Sequence, residues 1–177
     1  MSLFQINLDD IRNRIPELKA GDMVQLSGIC YTARDAAHKK LFSLLVEGRD
    51  LPIEIKDTCI YFAGPTPAPE NLPIGSCGPT TSGRMDPYSP RLLDMGLAAM
   101  IGKGERNENV RQAVIRNKAV YFCAVGGAGA LCAKHIKAYE EIAFPELGCE
   151  SIKRLTLDKF PAFVGIDSFG NTVFKED

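Results

Sequence analysis

Nine consecutive residues, Gly78-Pro79-Thr80-Thr81-Ser82-Gly83-Arg84-Met85-Asp86, bring together two glycines, three hydroxyls, a guanidinium and a carboxylate. None of them is needed to build an apolar core. Gly78 and Gly83 let the backbone turn tightly and approach a ligand closely. Thr80, Thr81 and exposed amide groups supply hydrogen bonds, and Arg84 supplies a planar fork that matches a carboxylate. From Met85 onward the pattern predicts the start of a helix, whose first turn attracts anions. The chemistry this set suits is recognition of a small acidic ligand; the same composition also makes plain structural loops.

Two further cations sit in similar surroundings. Arg34 follows an apolar run ending at Tyr31, at the start of a helical pattern, and Lys103 lies between Gly102 and Gly104 after a short apolar run ending at Ile101. Ligands of open α/β sheets gather at the carboxyl ends of strands. Arg34, Arg84 and Lys103 could therefore clamp a dicarboxylate, although each alone also reads as a solvated charge. Asp35 and Asp86 are placed to orient Arg34 and Arg84 or to cap their helices. His38, one turn beyond Arg34, either faces the same site or is a partly exposed helix histidine. A neutral threonine is a poor base, so Thr80 needs a neighbour to activate it, for which Asp35 and Asp86 are the candidates. His135 has no companion at metal-ligand spacing and reads as structural.

The elements that must hold these residues alternate between strands and helices. Strands are expected at Phe4 to Leu8, Met23 to Tyr31, Thr58 to Ala63, Ala98 to Ile101, Ala119 to Val125, Ser151 to Leu157 and Phe160 to Asp167, with a hairpin turn at Asp167 to Asn171. Helices are expected after Asp9-Asp10, from Arg34 to about Glu47, over Asp86 to Gly96, over Asn109 to Asn117 and over Ala130 to His135. Seven of the eleven prolines fall between positions 65 and 90 and predict a stiff, extended connector that delivers the glycine-rich segment. Gly126-Gly127-Ala128-Gly129 lacks dinucleotide-loop spacing and reads as close backbone packing or a second anion nest. The expectation is a single α/β domain over residues 1–177, with a mixed sheet flanked by helices.

Composition narrows the classes of partner. The 177 residues carry a formal net charge of −1, so no global field draws the chain to nucleic acid or to an anionic membrane. The N-terminal residues lack a basic start and a long apolar run, and no apolar stretch approaches a membrane span, which suits a cytoplasmic setting. The six cysteines, at 30, 59, 77, 123, 132 and 149, are irregularly spaced with no Cys-x-x-Cys pair. Metal or cluster ligation by this chain alone is therefore not expected. Cys30, Cys59 and Cys123 read as buried thiols. Cys77, beside the glycine-rich segment, is either a small filler or a reactive neighbour of the site.

The segment from Gly78 to Asp86 resembles the signature of the beta subunit, or C-terminal domain, of iron–sulfur hydro-lyases, the class I fumarate hydratases and L(+)-tartrate dehydratases. Leu26-Ser27-Gly28 through Tyr31 to His38, Met100-Ile101-Gly102-Lys103-Gly104 and Phe160-Pro161-Ala162-Phe163-Val164 extend the likeness in order over nearly the whole chain. The resemblance implies a swivelling β/β/α domain and reversible addition of water to a dicarboxylate double bond, the substrate being fumarate and malate or, alternatively, tartrate. It implies a 4Fe-4S cluster bound by an alpha subunit rather than by this chain, acting as a Lewis acid on the substrate hydroxyl. A homodimer of beta chains within an α2β2 assembly is the implied architecture. Residue by residue, it places substrate-binding cations at Arg34, Arg84 and Lys103 and a proton-abstracting threonine at Thr80. Glu150-Ser151-Ile152-Lys153-Arg154 lacks an aromatic residue common among relatives, a departure expected to affect packing without touching a site residue. A non-catalytic domain that binds small anions is the alternative class.

Overall fold

The apolar runs become the strands of a seven-stranded sheet, part of which closes into a ring. The computed structural model describes residues 3–124 and 129–174. Strands β1 (Leu3–Asn7), β2 (Met23–Thr32), β3 (Cys59–Tyr61), β4 (Ala99–Gly102), β5 (Val120–Ala124), β6 (Ile136–Ala143) and β7 (Ile152–Ile166) interleave with helices α1 (Ile11–Arg14), α2 (Asp35–Val46), α3 (Ser89–Asp94), α4 (Glu108–Arg116) and α5 (Gly129–Lys134). β2, β3, β4 and β5 are parallel neighbours. The long β7 runs antiparallel to both β5 and β2, which closes the ring. β1 adds to the first half of β2, and β6 to the first half of β7.

Alternating side chains divide the core in two. Leu26, Cys30, Tyr61, Ile101, Phe122, Phe160 and Val164 share one cluster. Ile60, Met100 and Tyr121 share the other with Leu41 of α2, Leu92 of α3 and Val110 and Val114 of α4. All five positions of β5 are buried, as the uninterrupted apolar run requires of a strand covered on both faces. Among the described residues no helix is long and apolar enough to cross a membrane.

The mixed α/β architecture matches the expectation, with local corrections. The two strands expected at 151–157 and 160–167 are one continuous strand. Lys159 takes φ +52°, and its amide donates to Ser27 Oγ at 2.9 Å, so the ladder bends without ending. β6 is absent from the expected elements; five of its eight residues are exposed, which leaves no hydrophobic periodicity to read. The helix expected to start at Met85 begins only at Ser89, after a 3₁₀ turn over Ser82–Met85. Pro87 and Pro90 lack the amide hydrogens that a continuous helix would use, and Pro90 is accommodated in the first turn of α3. The turn at 167–171 forms as expected, with the buried Asp167 carboxylate accepting from the amides of Phe169 and Asn171, both at 3.0 Å.

The proline-rich connector leaves the end of β3 and returns to it. Thr66 and Ser76 pair across it, the amide of Thr66 reaching the carbonyl of Ser76 at 2.9 Å. The Tyr61 hydroxyl donates to the Cys77 carbonyl at 2.6 Å, and the Thr80 amide reaches the Phe62 carbonyl at 2.7 Å. The connector thus sets down the glycine-rich segment beside the strand it left. Tyr61→Phe leaves the buried Cys77 carbonyl unpaired and is expected to cost about 1–3 kcal/mol in urea unfolding; an unchanged midpoint and slope contradict this anchoring.

Candidate functional site

Four parallel strands run the same way, so their carboxyl ends share one rim of the ring. Arg34 follows β2 by two residues, and the Ala33 amide is held by the Tyr61 carbonyl at 3.0 Å. Thr80 is tied to Phe62, just beyond β3, and Lys103 follows Gly102, the last residue of β4. Thr81 and Lys103 pair as an isolated parallel bridge. One geometric fact, the common direction of β2, β3 and β4, therefore brings together residues far apart in sequence.

Charge organises the group. Arg84 embraces Asp35, with Nε 3.0 Å from Oδ1 and Nη2 3.1 Å from Oδ2. The same Nη2 donates to Thr80 Oγ1 at 2.9 Å. Arg34 Nε stands 3.6 Å from the same Asp35 Oδ2. Glu150 Oε1 lies 3.4 Å from Arg34 Nε and accepts the Ala36 amide at 3.2 Å. Arg34 Nε is nonetheless buried without a hydrogen-bond partner. The Arg34 side chain lies across Gly64, where a Cβ would approach its Cδ to 2.8 Å. Arg84 stays half-exposed, and a Cβ on exposed Gly83 would meet nothing nearer than the Glu105 carbonyl at 3.9 Å. Packing within this chain therefore does not demand glycine there, and the surface is open to a ligand or partner. Lys103 Nζ has no hydrogen bond or ion pair among the described residues.

Asp86 departs from expectation. It does not meet Arg84; its Oδ1 accepts from Arg106 Nε at 2.6 Å and its Oδ2 from the Asn107 amide at 2.8 Å. Arg106 is fully buried, donates to Ser89 Oγ at 2.6 Å and lies against the rings of Phe62 and Tyr121. This pair bolts the turn carrying Arg84 to the loop that follows Lys103. Glu150 departs too. The segment expected to affect only packing places a carboxylate against Arg34, held by the turn over Pro145–Glu150. Lys153 fixes that turn, its Nζ donating to Ser151 Oγ at 2.7 Å and to the carbonyls of Gly148, Cys149 and Ser151. Burial pulls the Lys153 amine below its usual range. Neither Glu150 nor Arg106 carried a motif; a carboxylate near the start of a final strand and an arginine in a polar loop are ordinary in sequence.

His38 touches the site from behind. It is fully buried between Phe62 and Tyr88, and its Nδ1 lies 2.9 Å from the Arg34 carbonyl. A carbonyl only accepts, so Nδ1 carries the proton and Nε2, which is buried and unpartnered, does not. Burial, assisted by the Arg106 charge, lowers its pKa to about 4 against the opposing pull of the Arg34 carbonyl and Asp35. It braces the backbone of Arg34.

The thiols do not form a second centre. Cys30, Cys59, Cys77, Cys123 and Cys132 are buried, and burial pushes the Cys77 thiol up to about 12, which leaves it a filler at neutral pH. Among the described residues, no three His, Cys, Asp or Glu side chains are grouped to hold a metal ion. A 4Fe-4S cluster therefore does not fit the donors placed here. The Gly126-Gly127-Ala128-Gly129 break lies largely outside the described residues.

Comparison with known proteins follows this geometry. The family described as Fumarase C-terminus matches residues 2–177. The chain is 38% identical over 171 residues to the class I anaerobic fumarate hydratase of Escherichia coli K12, covering 96% of this chain and 31% of that protein. It is 36% identical to fumarate hydratase 2 of Leishmania major, covering 96% of this chain and 30% of that protein. The chain thus spans about a third of the length of these hydratases. It is also 35% identical over 168 residues to the putative L(+)-tartrate dehydratase subunit beta of Methanocaldococcus jannaschii, covering 92% of this chain and 86% of that subunit.

The His38 geometry carries a pH test. Its folded pKa lies below the unfolded value of 6.5, so the unfolded chain takes up the proton first as pH falls. Its contribution to stability is full above about pH 6.5 and is lost as pH falls toward 4. Urea unfolding at about pH 7.5 and about pH 5 is expected to show an acid loss larger in the parent than in His38→Gln by on the order of 2 kcal/mol. Equal losses contradict the buried neutral ring.

Proposed function

The chain belongs to the Fumarase C-terminus family, and we propose that it is the carboxylate-binding half of a hydro-lyase that interconverts fumarate and malate. The observation that carries this reading is that Arg34 after β2, Lys103 after β4 and the turn carrying Arg84, which is tied to Phe62 and Lys103, meet at one rim, with Thr80 Oγ1 2.9 Å from Arg84 Nη2. The partner in this reading is an alpha subunit that carries the 4Fe-4S cluster, as a pair of alpha–beta units, and residues 1–177 act as one domain.

Dehydration of malate breaks a carbon–hydrogen bond beside a carboxylate and the carbon–oxygen bond on the neighbouring carbon; the electron pair of the carbon–hydrogen bond becomes the double bond, and the hydroxyl leaves as water after taking a proton from an acid that this reading places on the alpha partner. Negative charge builds on that carboxylate as the proton departs. Arg34, Arg84 and Lys103 hold the two carboxylates, and cations fixed beside growing charge stabilise the transition state more than the ground state. Thr81 and Gly83, exposed on the same turn, border the bound diacid. Thr80 Oγ1 takes the carbon-bound proton and returns it in hydration. A threonine oxygen serves as a base only once its own proton is gone, and the Arg84 guanidinium donating to Oγ1 favours that deprotonated oxygen. Asp35 keeps the guanidinium aimed at Oγ1 by binding its Nε edge.

L(+)-tartrate is the second reading, favoured by the tartrate dehydratase subunit whose length this chain nearly spans. The two diacids differ by one hydroxyl, and a substrate panel separates them. Co-purified with its alpha partner under anaerobic conditions, the chain is expected to turn over malate faster than L(+)-tartrate; the reverse order assigns the second reading. Binding of both without turnover leaves a non-catalytic anion-binding domain.

Arg84→Met and Lys103→Met are each expected to lower kcat/KM for fumarate by on the order of 10²–10³-fold while the assembly elutes unchanged; near-parental kinetics in both remove the clamp. Thr80→Val is expected to abolish exchange of the malate methylene proton with solvent deuterium, followed by NMR. Exchange at the parental rate moves the base elsewhere.

A further inference from the structure

Resting on the proposed reading of Lys103, we infer that Ser82 and Tyr121 are its positioning residues, a buried pair of hydroxyls that fixes where the lysine ammonium meets the substrate. Lys103 needs such a device because the glycine that follows it, at φ +80°, has no side chain to pack, and a Cβ there would meet nothing within 4 Å. A lysine on so permissive a backbone would wander.

The surroundings remove that freedom at the main chain and leave the head group alone. The Lys103 amide donates to Ser82 Oγ at 2.9 Å, and the Lys103 carbonyl accepts from the Ser82 amide at 3.0 Å. Beneath this clasp, Tyr121 Oη lies 2.9 Å from Ser82 Oγ and 2.8 Å from the Gly104 carbonyl. The proton directions follow from chemistry. The Gly104 carbonyl can only accept, so the phenol proton goes there, the Ser82 proton goes to the phenol oxygen, and a Ser82 lone pair receives the Lys103 amide. Burial pushes the Tyr121 phenol well above its ordinary pKa, so it remains a donor throughout the working range.

Each member is itself held. Ser82 and Tyr121 are fully buried. A Cβ at Gly102 would collide with Ser82 Oγ, so β4 can approach only as glycine. The Arg106 guanidinium, anchored by Asp86, packs 5.0 Å from the centre of the Tyr121 ring. The clasp also fixes Lys103 relative to Thr80 and Arg84, since Ser82 belongs to the same turn.

A double-mutant cycle on the enzyme assembled with its alpha partner tests this. Tyr121→Phe keeps the ring and removes only the hydroxyl; it is expected to lower kcat/KM for fumarate about tenfold, and to lower it less than about twofold when Lys103 is already methionine. A tenfold loss in both backgrounds means the hydroxyl matters to the fold alone and overturns the inference, as does no loss in either. Ser82→Ala, read in the same cycle, gives the same pattern and decides the matter if Tyr121→Phe fails to assemble. If Lys103→Met alone leaves kcat/KM unchanged, the proposed role of Lys103 fails first and this inference falls with it; the two failures are thus distinguishable.

Discussion

One carboxylate, Asp35, lies between two guanidinium groups that would otherwise repel each other. Arg84 grips it through two nitrogens and Arg34 stands 3.6 Å from its Oδ2. Like charges a few ångströms apart at a half-exposed surface cost on the order of a few kcal/mol unless a counter-charge is shared between them. Asp35 can play that part because it is the first residue of α2 and is carried to the rim by β2, while the connector carries Arg84 to the same place from β3. Glu150 adds a second carboxylate beside Arg34 Nε. The two guanidinium groups therefore depend on acidic residues that hold them without saturating them: Arg34 Nε lies near Asp35 and Glu150 yet keeps no hydrogen bond.

The same chain separates rigid support from open surface. Behind the site, Arg106 and Asp86 form a buried ion pair sealed by aromatic rings, and His38 is kept neutral by burial against the Arg34 carbonyl. In front, Arg84, Thr81 and Gly83 are exposed, with little in the chain to cover them. A surface with one side built and the other open is what the proposed composite pocket requires, and the relatives named as fumarate hydratases are about three times the length matched here.

Much of this can be read from residue types and order. The apolar run at 119–125 predicts β5, and two cations that follow apolar runs, with a third closing the glycine-rich segment, predict a shared rim because parallel strands end together. What cannot be read is where side chains turn once the backbone is fixed. Asp86 is two residues from Arg84 and reads as its partner, yet Arg106, twenty residues away, takes both the space and the charge. Ser82 is one of three consecutive hydroxyls, and only the fold shows that Thr80 reaches Arg84 while Ser82 turns inward to the Lys103 amide. β6 leaves no trace because an edge strand with five exposed residues has no apolar alternation, and β7 reads as broken at Lys159 because positive φ there bends a strand that continues through ladder bonds on both sides.

The most direct test of the account is an atomic structure of the assembled protein with malate bound. The account predicts the substrate carboxylates within hydrogen-bond distance, about 3 Å, of Arg34, Arg84 and Lys103, with Thr80 Oγ1 facing the carbon that loses its proton. Malate bound elsewhere, with these side chains still paired only to Asp35 and Glu150 or turned to solvent, would contradict it.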